Sequence, residues 1–143
     1  ASLGELMLPT ITFDHVRVDA PPDWMAEYPG FGEMLSYTQA LDDEQIAITL
    51  RQMPEDTGGR GSYGHSHVTQ EEVYLVTSGK VTFKVGDDEF VAEPGTAVRI
   101  APSAVRSVHN DGPGEAELVI CSKKAENPEA ERGPHVEDFW PRD

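Results

Sequence analysis

Along the middle of the chain, apolar and polar side chains either alternate or fall in short apolar runs. Turn residues interrupt them about every 8 to 12 positions. Val81, Phe83 and Val85 alternate with Thr82 and Lys84, which puts the apolar set on one face of a half-exposed strand. The Gly86-Asp87-Asp88 that follows makes a hairpin turn. Ser78-Gly79, Pro94-Gly95 and Asn110-Asp111-Gly112 punctuate other joins in the same way. The pattern predicts strands over 34–40, 45–53, 72–77, 80–85, 88–92, 96–100, 104–109 and 116–122. No stretch holds a helical period beyond about three turns, so an all-β sandwich or barrel is expected.

The two ends break this rhythm. Residues 1–33 form an arm whose prolines, Pro21, Pro22 and Pro29, predict an irregular path with one short helical turn near Trp24. Residues 124–143 form a tail of mixed charge, Pro and Gly with neither period, expected to wrap the outside of the domain. Phe139 and Trp140 are its exception, because two large aromatics need apolar surface to cover, on their own barrel or on a neighbouring subunit. With 143 residues in all, the chain reads as one domain, its barrel spanning 34–123.

Composition narrows the function classes. Lys and Arg total 11 against 26 Asp and Glu, a net charge of −15 that repels phosphate backbones and anionic lipid, so no nucleic-acid or membrane partner is expected. It also makes any basic residue inside a pocket electrostatically conspicuous. No apolar run approaches the roughly 20 residues that span a bilayer. The opening ASLGELMLPTITF lacks a basic segment followed by an apolar stretch, so a cytoplasmic location is expected. The single cysteine, Cys121 in AELVIC, permits no internal disulfide and reads as a small hydrophobe of the core.

The candidate chemistry lies in 58–79, GGRGSYGHSHVTQEEVYLVTSG. His65 and His67 stand two apart, so on a strand both imidazoles leave the same face. Glu72 begins the next apolar strand, where a chain reversal brings its carboxylate back beside them. Two imidazoles and one carboxylate suit a divalent metal ion, Fe, Mn, Ni, Co or Zn, with coordination positions left open. Glu71 points the other way on the strand.

This stretch resembles the first motif of the cupin superfamily, Gly, five residues, His-x-His, three or four residues, Glu, six residues, Gly. Gly59, His65, His67, Glu72 and Gly79 occupy its fixed positions. The second motif matches less well. Counted from Gly95, its Pro and Gly positions hold Ala101 and Ser103, its last residue is Asn110, and the place of its metal histidine is taken by Arg106. A guanidinium offers no lone pair, so His65, His67 and Glu72 remain as the metal ligands. His109 falls on the opposite strand face from Arg106 and rescues the missing ligand only through a bulge. His15 and His135, in arm and tail, read as surface histidines.

The resemblance implies a small single-domain cupin, a double-stranded β-helix or jelly-roll barrel, paired as a homodimer. Arg106 admits two readings: it clamps the acidic end of a substrate, or it pairs with Glu72 or Glu71 and fills the vacant ligand position. The first is favoured. Gln70 and Tyr74 share the face of Glu72 and are further substrate-binding candidates, with Gln52 a weaker one. Tyr74 also reads as core. The expected function is a metal-dependent enzyme acting on a small polar or anionic molecule, by oxidative cleavage as in dioxygenases or, second, by isomerisation. The alternative is a non-catalytic module that binds a sugar or organic acid. No catalytic residue is singled out.

Overall fold

The computed structural model describes residues 12–142, so the segment read for an export signal lies almost wholly outside the described residues. Among the described residues, eleven strands and one five-residue helix follow one another: β1 (Glu33–Ser36), α1 (Tyr37–Leu41), β2 (Ile46–Met53), β3 (Thr57–Gly58), β4 (Ser62–Gly64), β5 (Glu72–Ser78), β6 (Val81–Val85), β7 (Asp88–Ala92), β8 (Ala97–Ile100), β9 (Arg106–Asn110), β10 (Ala116–Lys123) and β11 (Val136–Trp140). A five-stranded sheet runs β1-β2-β10-β5-β8, a four-stranded sheet β3-β9-β6-β7, and a two-stranded ribbon joins β11 to β4. Every pairing is antiparallel.

Period-two burial builds the core. On β5, Tyr74 and Val76 are buried while Val73, Leu75 and Thr77 face out. These two join Met53, Ile100, Ala116 and Leu118 from the larger sheet and pack on Val81, Phe83, Ala92 and Val108 from the smaller. Tyr74 meets Phe83 edge to face across the gap, ring centroids 5.5 Å apart. The turn after β5 needs glycine: Gly79 has φ +68, and a Cβ there would strike the Glu115 carbonyl oxygen.

Two expectations give way. The strand predicted over 34–40 stops at Ser36, whose hydroxyl accepts a hydrogen bond from the Gln39 N–H and caps α1; Asp42 in the left-handed region ends the helix. The tail, expected without regular structure, contains β11. Val136 lies opposite Gly64 and Trp140 opposite Ser62. Gly64 makes room for the tail, since a Cβ there would collide with the Phe139 ring. Trp140 is buried on the chain's own barrel and donates to Glu89 Oε1 at 3.0 Å.

The tail splints the stretch that carries the histidines. The Gly133 N–H donates to the Ser66 carbonyl, and the Ser66 hydroxyl to that of Pro134. The Glu131 carboxylate accepts from the backbone N–H groups of Thr69 and Gln70, at 2.9 and 3.1 Å. Residues 62–70 are thus held from both sides, because His65 also exchanges backbone hydrogen bonds with Arg106.

Candidate metal centre

His65 and His67 leave the chain just after β4, and Glu72 opens β5 opposite Ile100 on β8 and Ser122 on β10. The structure brings the three together: one potential ligand atom from each lies within 4.8 Å of the others. His67 Nε2 stands 3.3 Å and His65 Nε2 3.7 Å from Glu72 Oε1. All three side chains line a cavity of about 410 Å³ inside the barrel, in the range of small-molecule sites.

The residues fit a metal ion. Both ring nitrogens of His67 are buried and have no hydrogen-bond partner, which is costly unless a lone pair is used for something else. The carboxylate beside them is ionised. Burial opposes its charge, but the two imidazoles and the Arg106 guanidinium outweigh that and hold the Glu72 carboxyl well below the usual carboxylate range. Its Oε1 accepts from the Tyr74 hydroxyl at 2.8 Å and from Arg106 Nη2 at 2.7 Å, while Oε2 accepts from none of the described residues. Burial, then the charge of Glu72, raises the Tyr74 pKa and keeps the phenol a donor.

Arg106 departs from its favoured reading. It is wholly buried, with Nε and Nη2 on Glu72 and Nη1 on the carbonyls of Ala101, Pro102 and Ala104. All three of its nitrogens are engaged and it is not among the residues that line the cavity, so the geometry is the second reading, a cation paired with Glu72. Spacing alone could not show that the 101–104 turn aims three carbonyls inward. Gln70 also leaves the candidate set, because its amide donates to Ser122 Oγ and the Lys123 carbonyl at the end of β10. Tyr74 packs in the core, as its second reading has it, and its hydroxyl meets Glu72 at the cavity wall.

Elsewhere the histidines stay apart from the centre. His109 is buried against Asp56 Oδ1 at 2.9 Å and accepts from the Arg60 N–H. His135 pairs with Glu137, His15 is exposed, and Glu71 pairs with Arg99. Among the cavity residues that escaped the sequence reading, Arg51 is the charged one. Arg51, not Gln52, faces the interior, since it shares a strand face with the buried Met53. Counting back by two from that methionine would have found it.

A family model described as "Cupin domain" matches residues 55–122. The chain carries a cupin domain. Solved structures agree on the fold of this domain. It superposes on a cupin protein from Bacteroides fragilis with a TM-score of 0.64 and 18% identity, covering 82% of this chain and 89% of that one. A polyketide cyclase from Streptomyces resistomycificus matches with a TM-score of 0.67 and 14% identity over 89% and 86% of the two chains. A sugar phosphate isomerase of the cupin superfamily from Silicibacter pomeroyi gives 0.63 and 15% over 78% and 76%. At these identities the likeness is one of fold, the double-stranded β-helix. No curated protein matches the chain significantly. No helix among the described residues is long and apolar enough to cross a membrane.

Proposed function

We propose that this cupin is a metal-dependent enzyme acting on a small polar or anionic molecule held in the barrel cavity. The observation that carries the reading is the pair of orphaned, buried nitrogens on His67 beside an ionised Glu72, at the wall of a cavity with room for a ligand. His65, His67 and Glu72 would hold one divalent ion, which supplies Lewis acidity to a substrate oxygen and, if redox-active, electrons for oxygen chemistry. The chain's own residues do the rest. Tyr74 and Arg106 keep Glu72 ionised and fix its orientation. Trp24 and Met25 of the arm line the same cavity.

Isomerisation and oxidative cleavage are the reactions such a site accommodates. A relative of this fold is described as a sugar phosphate isomerase, and another as a polyketide cyclase. The cytoplasm and a homodimer are the proposed setting, on the negative charge and single cysteine of the chain and on the pairing habit of small cupins. A second reading, a binding module without turnover, draws on the Arg106 pairing, which neutralises part of the ligand charge.

Elemental analysis of untagged protein, incubated in turn with Fe(II), Mn, Ni and Zn, tests both. The enzyme reading expects about one ion per chain, lost in His67→Ala. Less than about one tenth of an ion per chain in the wild type would sink it. Oxygen uptake by the Fe(II) form separates oxidative cleavage from isomerisation.

A further inference from the structure

Arg51 lies in the body of β2, opposite Met34 on β1 and Leu118 on β10. Thr49 shares its strand face and the cavity, and Met53, two residues on, is wholly buried in the core. The guanidinium therefore projects inside the barrel. Its Nε is buried without a hydrogen-bond partner, and among the described residues no carboxylate or carbonyl takes Nη1 or Nη2. Burial lowers its pKa, a mark of the desolvation it bears, and the neighbouring titratable groups are the phenols of Tyr74 and Tyr63.

An unpaired interior cation is costly in any protein. It is more telling in this one, where 26 acidic side chains outnumber 11 basic ones and yet none among the described residues pairs with it. A guanidinium with its fork free, in the same cavity as a metal centre, is complementary to an oxyanion. We infer that Arg51 is the anion-recognising residue of this cavity, and that the ligand is a small carboxylate or phosphate whose acidic group pairs with Arg51 while another of its oxygens faces His65, His67 and Glu72. The inference rests on the cavity being the ligand site proposed above. It moves the role expected of Arg106 to a residue on the opposite sheet.

Calorimetric titration of the full chain with inorganic phosphate and, separately, with acetate tests it, metal content being measured on the same samples. Wild type is expected to bind at least one of the two anions, and the tighter one names the acidic group. Arg51→Gln should weaken that binding about tenfold or more at unchanged metal content, and Arg51→Lys should fall between. Arg51→Met should keep the fold and raise the melting temperature, because it removes a desolvated charge that has no partner. Anion affinity unchanged in Arg51→Gln, no anion binding by the wild type, or a lower melting temperature for Arg51→Met would each overturn the assignment while leaving the metal reading intact. Anion binding lost in Arg51→Gln by a protein that holds no metal would support Arg51 and overturn the metal reading alone.

Discussion

Two arginines face the inside of this barrel from opposite sheets, and their surroundings could hardly differ more. Around Arg106, on β9, the protein has closed a full shell: one carboxylate for Nε and Nη2, three carbonyls for Nη1. Around Arg51, on β2, no carboxylate or carbonyl among the described residues takes a guanidinium N–H, and Nε is an orphan. Both guanidiniums sit in an acidic chain and near the Tyr74 phenol. A satisfied buried cation is part of the scaffold, whereas an unsatisfied one has affinity left over for something that is not protein.

The contrast is sharpest in stability. Arg106→Leu strands an ionised Glu72 and three inward carbonyls, and should cost about 3–5 kcal/mol in denaturant unfolding. A loss below about 1 kcal/mol would put Arg106 in the same class as Arg51. Tyr74→Phe takes one donor from the same carboxylate oxygen and leaves the ring in the core, so about 2 kcal/mol is expected by the same measurement. Arg106→His releases Glu72 Oε1 and offers an imidazole where the cupin motif has one. Metal retention in a chelator competition should then tighten about tenfold, roughly 1.4 kcal/mol.

The smallest effect belongs to a third arginine at the surface. Hydrogen bonds from Arg60 and then Thr82 lower the Asp111 pKa to about 2, against burial that raises it. The folded value lies below the unfolded one of about 3.9, so the stability this carboxylate contributes is whole above pH 4 or so and disappears as pH falls toward 2. Asp111→Asn should flatten the acid limb of the unfolding curve in that window, and only slightly, because both partners touch solvent. An unaltered limb would mean that the pair contributes nothing.

What the sequence made legible follows physical lines. His65, His67 and Glu72 could be read because strand period and one chain reversal are local rules. The capped turn of α1 was available in Ser36 and Gln39, three apart, but the apolar run through it suggested a strand. Arg106, Gln70 and β11 could not be read, since each depends on partners distant in sequence or on backbone carbonyls. Spacing does not say which way the 101–104 carbonyls turn, or that Glu131 will reach Thr69 and Gln70.

That last contact ties the stretch that carries the histidine pair to a segment translated about sixty residues later. During synthesis the ligand-bearing stretch has only its pairing with Arg106 until residues 131–140 have left the ribosome and add the second splint. A nascent chain stalled before that point would hold the imidazoles on a loop pinned from one side alone.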